Sequence, residues 1–250
     1  MTKVLITGMS GLIGGILRRH LEGVGGYELT ALNRRPVDGV RCFQGDISDI
    51  DAVKPAMQGQ DVVVHLAAYL GSDDWEGQLA GNVIGTYNVY EAARLAGVKR
   101  VVFASSGNAI RGFERVPPYE AIANGRYDEV PEDFPKITHE MVRPERLYGA
   151  AKVWGEALGR HFTNVYDISV LCVRIGSVTD GNRPRDTRER AIYLSHRDVA
   201  QILHKCVDAP YDLKYDIFLA TSDNKWSYRD LTHPRDVLGY QPQDSADSFE

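Results

Sequence analysis

The chain is poor in the residues that staple, span or attract. Its 250 residues hold three cysteines, Cys42, Cys172 and Cys206, with no CxxC spacing, which excludes a disulfide framework and a thiolate metal site. Cys42 and Cys172 lie in apolar, strand-like runs and read as small buried hydrophobes. Basic charge is not in excess: 29 Lys and Arg stand against 34 Asp and Glu, a formal net charge of -5. That balance excludes the basic stripe by which nucleic acid or an anionic membrane is held. No apolar run approaches the roughly 20 residues of a membrane span. The chain also enters its first strand without a charged leader and apolar signal core, so a cytoplasmic protein is expected. No histidine pair has metal-ligand spacing beside a carboxylate, and no metal is expected.

What is present is an ordinary globular composition, 43% hydrophobic and 25% charged, at a length suited to one domain. Short apolar runs alternate with longer amphipathic ones. "KVLIT", "YELTALN", "VRCFQGD", "DVVVHLA", "RVVFASS", "ISVLCVRIG" and "YDIFLAT" read as strands. "GLIGGILRRHLEG", closing on Gly23, "DIDAVKPAMQ", "GQLAGNVIGTYNVYEAARLAGV", "LYGAAKVWGEALGRHFTNV" and "SHRDVAQILHKCV" read as helices, the last capped by Ser195 with Asp198 in its first turn. Runs such as "VVVH" are apolar throughout, which suits strands covered on both faces. The alternation predicts an α/β fold, a doubly wound parallel sheet of the Rossmann kind with a small C-terminal substrate-binding part. Residues 1–250 are expected to form one domain, with substrate-binding segments at about 112–143, 177–197 and 220–250. His65 reads as a packed strand-end histidine, and Trp75, Trp154 and Trp226 as packing residues.

Two clusters carry chemistry. The first is Thr7-Gly8-x-x-Gly11-x-x-Gly14, set between the first strand and the first helix. Glycines there let backbone approach a pyrophosphate at the positive helix end, although they also serve tight helix–sheet packing. The second strand would deliver Asp or Glu to a free ribose 2′-hydroxyl; this one delivers Asn33, Arg34 and Arg35. Amide plus guanidinium favours a 2′-phosphate, and so NADP over NAD, against the alternative of two solvated arginines. Asp46 follows the third strand, placed either for the adenine edge or as the cap of the next helix.

The second cluster is "LYGAAK", which puts Tyr148 and Lys152 on one helix face. A nearby ammonium favours a tyrosinate, and "FASSGN" delivers Ser105 and Ser106 at a strand's carboxyl end. Ser106 is expected to hold a substrate oxygen, Tyr148 to exchange its proton, and Lys152 to lower the Tyr148 pKa and bind the nicotinamide ribose.

These stretches, with "HLAA" at 65–68 and "GNVIGTYNVYEAAR" at 81–94, resemble the extended short-chain dehydrogenase/reductases over most of the chain. Within that family, "LYGAAKVWGEALGR", "VRIGS", "LSHRD" and "VLGYQPQDSA" are most similar to uronate and NAD-dependent glucose-6-phosphate dehydrogenases. The resemblance implies NAD(P) bound by Gly8, Gly11, Leu12, Ile13, Gly14, Asn33, Arg34, Asp46, Ile47, Leu66, Ala67, Ala68, Asn82, Tyr148, Lys152 and Ile175. It implies a small sugar, uronate or sugar phosphate, anionic or neutral, bound near Leu70, Ser106, Gly107, Asn108, Tyr148, Ser177 and Arg188, the last gripping an anionic group. It also implies a homodimer through helices beginning near Gly77 and Pro144. The chain departs from the uronate pattern at Gly107 and Asn108, where Asn-His is usual, and at Leu70, where a serine is usual. An epimerase or dehydratase with retained NAD(P), and an NAD(P)-sensing regulator, stand as alternatives. The short segment after Tyr148 argues against the first, and the intact tyrosine and lysine against the second.

Overall fold

A computed structural model of the chain describes residues 1–71 and 74–249. Seven strands, β1 (Thr2–Thr7), β2 (Tyr27–Asn33), β3 (Arg41–Gln44), β4 (Val62–His65), β5 (Arg100–Ser106), β6 (Ser169–Ile175) and β7 (Tyr215–Ala220), form one sheet. Its order is β3-β2-β1-β4-β5-β6-β7, and every pairing is parallel. The connections are α1 (Leu12–Val24), α2 (Ile50–Met57), α3 (Trp75–Gly77), α4 (Gly85–Leu95), α5 (Tyr119–Ala123), α6 (Leu147–Tyr166), α7 (Thr187–Ile192) and α8 (His196–Asp208), with α9 (Thr232–Leu238) after β7.

Period-2 alternation sorts the apolar strand residues to two faces. Val4, Ile6, Val62, Val64 and Val102 pack with α1 and α8, whereas Leu5, Val63, Val101 and Phe103 pack with α2, α4 and α6. Burying one such side chain contributes roughly 1.5–3 kcal/mol, and both faces of every central strand do so. A third cluster lies apart from these two, built by Ile110, Tyr119, Ile122, Ile137, Ile192, Leu219, Tyr228 and Leu231. It gathers the irregular stretches that follow β5, β6 and β7. Strand order reverses between β1 and β4, and that reversal opens a crevice at the carboxyl ends of the strands.

Several local expectations are corrected. Helix α1 runs past Gly23 to Val24 and closes on Gly25, whose positive φ of 78° lets its N–H reach the Leu21 carbonyl. The long predicted helix is interrupted: Gln78–Ile84 is a π-helical turn between α3 and α4. Asp49, not Asp46, caps α2, accepting from the Asp51 N–H at 3.0 Å. Cys42 is only partly buried, while Cys172 is fully enclosed. Trp75 and Trp154 are not packing residues, being 57% and 42% exposed. Trp226 does pack, stacked on Tyr127 with ring centres 4.3 Å apart. Ser195 caps α8 through the Asp198 N–H at 3.0 Å. At the other end of α8, Arg100 is completely buried and donates to the carbonyls of Cys206, Val207, Ala209 and Pro210, which satisfies a helix terminus that no residue of its own closes.

Candidate active site

The crevice is lined first by the glycine turn. Gly8 has φ +73°, and a Cβ there would lie 2.9 Å from the Ala67 amide nitrogen. At Gly14 a Cβ would lie 2.5 Å from the Gly8 carbonyl, so the start of α1 seats directly on the turn. Gly11 is the N-cap of α1 but brings no side-chain acceptor, and the first turn holds no acidic residue. The N–H groups at this positive helix end are therefore left for an anion from outside the helix. Leu12 and Ile13 form that first turn.

At the end of β2, Asn33 is buried; its Nδ2 donates to Ser10 Oγ at 2.5 Å, and its Oδ1 is buried without a partner. Arg34 is exposed beside it, close enough to Asp46 to help hold that carboxyl below its ordinary range. The larger cause is the Ser48 N–H, 2.9 Å from Asp46 Oδ1. Ile47 is buried next to this turn. The orphaned acceptor, the glycine cradle and the bare helix end fit a dinucleotide: pyrophosphate at Gly8–Gly14, adenosine ribose at Asn33 and Arg34.

Thr7 stitches the crevice's two walls. Its Oγ1 hydrogen-bonds His65 Nδ1 at 2.8 Å and accepts from the Ala67 N–H at 3.1 Å, fixing the turn of Leu66, Ala67 and Ala68. Burial lowers the His65 pKa to about 3, so this imidazole is neutral and structural. Asn82, in the π-helical turn, spends its side chain on protein. Its Oδ1 accepts from the Tyr69 N–H at 2.9 Å, while its Nδ2 donates to the Tyr69 carbonyl at 2.7 Å and to Gln78 Oε1 at 2.5 Å. It thereby holds the segment leading to Leu70, which is 76% exposed.

Ser106, Tyr148 and Lys152 converge at the end of β5. Ser105 is committed elsewhere, donating to Glu156 Oε1 at 2.5 Å. Ser106, buried, hydrogen-bonds the Tyr148 phenol and accepts from Asn108 N and Nδ2 at 3.1 and 3.0 Å. Lys152 is buried one turn below Tyr148, with Nζ 5.5 Å from the phenol ring centre and donating to the Ala104 carbonyl at 2.8 Å. The expected acidification of Tyr148 is not what this geometry gives. Burial pushes the phenol up to about 12, opposed by the Ser106 hydrogen bond. Burial likewise pulls Lys152 down to about 8, against the pull of Glu156. Desolvation outweighs the neighbouring cation, because the ammonium is turned to a backbone carbonyl rather than to the phenol oxygen.

The residues at the ends of β6 and beyond complete the site. Ile175 ends β6 and is buried, and Ser177 donates to Glu189 Oε1 at 2.9 Å. Arg188, expected to grip an anionic group of the substrate, is taken by protein: Nε donates to Glu114 Oε2 at 2.5 Å and Nη2 to Oε1 at 2.9 Å. Beneath the trio, Arg174 and Glu156 form a fully enclosed bidentate pair, with Nε–Oε1 and Nη2–Oε2 both 2.8 Å. Sequence reading missed this pair, since nothing local in "VRI" or "WGEA" marks it. It also missed His139, Asp216 and His233, whose ligand atoms lie within 4.8 Å of one another. There the His139 and His233 rings stack at 3.8 Å, and His233 Nε2 meets Asp216 Oδ1 at 2.8 Å.

The family model described as the NAD dependent epimerase/dehydratase family matches residues 4–238. The NAD-dependent glucose-6-phosphate dehydrogenase of Haloferax volcanii is 34% identical, over 98% of this chain and 95% of that protein. The uronate dehydrogenase of Agrobacterium fabrum is 32% identical, over 100% of this chain and 87% of its own. The crystal structure of uronate dehydrogenase from Agrobacterium tumefaciens superposes with a TM-score of 0.84 at 31% identity, covering 100% of this chain and 87% of that one.

Proposed function

Because the chain belongs to the NAD dependent epimerase/dehydratase family, we propose that it is an NAD(P)-dependent dehydrogenase of a small sugar, uronate or sugar phosphate, oxidising a ring hydroxyl. The observation that carries this reading is the Ser106–Tyr148–Lys152 trio gathered at the carboxyl end of β5, in the same parallel sheet whose β1 ends on the glycine cradle. Ser106 holds the substrate oxygen, and Tyr148 takes the hydroxyl proton. Lys152, buried and anchored on Ala104, places a positive charge under the phenol ring and presents its remaining N–H donors to the nicotinamide ribose. The chemistry that bound NAD(P) supplies is acceptance of the hydride, together with a cationic ring that favours the tyrosinate. Without that second cation the phenol stays protonated near neutral pH, as its raised pKa of about 12 requires. Proton uptake is thereby confined to the loaded site.

Asn33 Oδ1 takes a ribose hydroxyl, and Arg34 gives the site its preference for the 2′-phosphate of NADP. Arg34→Ala is expected to raise the KM for NADP about 10-fold or more and leave that for NAD within about 2-fold. The segments around 112–143, 177–197 and 220–250 supply the substrate side, and the enzyme works in the cytoplasm, where free cofactor is available. A homodimer is part of the same reading. Ile84, Tyr87 and Leu95 are exposed on one face of the π-turn and α4, and Trp154 and Val165 on one face of α6. A second copy covers that apolar face, as sedimentation at micromolar concentration would reveal. The function itself is tested by following absorbance at 340 nm with a panel of free sugars, uronates and sugar phosphates under each cofactor. Reduction of the cofactor is expected; its absence with every substrate overturns the reading.

A further inference from the structure

The substrate side of the site encloses more positive charge than negative. Three arginines, Arg174, Arg188 and Arg229, are near enough to act on one another electrostatically, in company with Glu156 and Glu114. Glu156 is taken bidentately by Arg174. Glu114 is taken by Arg188, and the Tyr228 hydroxyl donates to it as well. Arg229 is left with no ion pair among the described residues, although only 4% of it is exposed. Its guanidinium makes one long hydrogen bond, Nη1 to the Ala220 carbonyl at 3.4 Å, and its Nε is buried without any partner. An enclosed guanidinium in that condition is costly unless an anion arrives to meet it.

The position of that guanidinium is specific. A Cβ on Gly107 would lie 1.9 Å from Arg229 Nη2 and 2.8 Å from its Cζ, so the planar group rests on bare backbone between Ser106 and Asn108. Any other residue at 107 would displace it. The Arg229 backbone is in turn pinned to Ile137: the Ile137 N–H donates to the Tyr228 carbonyl at 2.8 Å and the Asp230 N–H to the Ile137 carbonyl at 2.9 Å. The donor is thus held in place beside the catalytic serine before any ligand binds.

We propose that Arg229, rather than Arg188, is the anion receptor of this site, and that it takes the carboxylate or phosphate group of an anionic sugar whose hydroxyl is held by Ser106. The proposal rests on the dehydrogenase reading above and narrows its substrate class. A guanidinium fork matches either oxyanion. Arg188 then serves the scaffold, because its pairing with Glu114 ties α7 to the turn around residues 111–115.

The test compares glucuronate, glucose 6-phosphate and uncharged glucose, by turnover and by calorimetric binding to the NAD-loaded protein. For the wild type, kcat/KM is expected to favour one anionic sugar over glucose, and which of the two wins identifies the oxyanion. In Arg229→Gln that preference should fall about 30-fold or more, through KM, with Arg229→Lys recovering part of it. Gly107→Ala, which pushes the guanidinium aside, should reproduce the loss, whereas Arg188→Gln should keep the preference. The rise in Tm on adding NAD shows whether each variant is folded. A wild type that prefers glucose, or an Arg229→Gln protein that keeps the anionic preference, overturns the proposal while leaving the dehydrogenase intact. Anion binding that depends on Arg229 without any turnover would instead remove the dehydrogenase reading and keep the receptor.

Discussion

The half proposed to hold the cofactor and the half proposed to hold the substrate are held together by different forces. From β1 to β5 the chain builds apolar strands sandwiched between amphipathic helices, and its crevice presents mainly backbone, the glycines and a bare helix end, with one orphaned side-chain oxygen, Asn33 Oδ1. The stretches between β5 and α6, between β6 and α8, and after β7 are short turns and fragments with little regular backbone pairing. They are held by a small apolar cluster and by enclosed charges, Arg174 with Glu156 and Met141, Arg188 with Glu114. A backbone cradle suits a ligand common to many enzymes, since it reads phosphate rather than identity. Side-chain charge suits the part that must discriminate.

The contrast meets at Tyr148, which draws on both halves, so its loss should have the largest effect. Tyr148→Phe is expected to lower kcat by about 10³–10⁴-fold while cofactor affinity, measured by fluorescence titration, stays within about 2-fold. Next comes the charge scaffold. Glu156→Ala strands the Arg174 guanidinium and Ser105, and unfolding should become easier by about 3–5 kcal/mol in a denaturant titration. A loss under 1 kcal/mol would mean that the substrate half does not depend on enclosed charge. The cofactor half should respond to acid through His65. Its folded pKa of about 3 lies below the ordinary 6.5, so the unfolded chain takes up a proton that the native state refuses. Stability from this group is complete above pH 6.5 and is lost as pH falls toward 3. At about pH 4.5 the loss is roughly 2–3 kcal/mol, and His65→Asn should flatten that limb of the Tm–pH curve. The smallest effect is expected at Ser195→Ala, where loss of the α8 cap costs about 1 kcal/mol without changing the substrate preference.

Legibility followed the same division. The central strands β1, β4 and β6 stand in the sequence as apolar runs, because a strand buried on both faces has few polar positions to disguise it. Tyr148 and Lys152 were readable since one helical turn fixes their spacing. Asn82 is readable as an interruption of the long helix that bonds backbone, or equally as an exposed helical Asn; that it sits in a π-helical turn and meets Tyr69 has no local signature. The sequence points to Ser106 over Ser105, but what occupies Ser105 was not legible in it: the partner is Glu156, 51 residues away. A tryptophan's size favours burial, which is why Trp75 and Trp154 suggest packing residues, yet which side of a helix is covered depends on its neighbours, and here both keep a large exposed face.

The sequence alone therefore determined the parallel sheet and marked the glycine turn after β1 and the one-turn spacing of Tyr148 and Lys152, all of which follow from periodicities of a few residues. Tertiary structure decided which charges cancel. Glu114 lies 74 residues from the arginine it neutralises, and Gly107 more than a hundred from the guanidinium it admits. Whether an arginine is satisfied or left seeking an anion depends on such distant contacts, because Coulomb attraction and burial act through space and not along the chain.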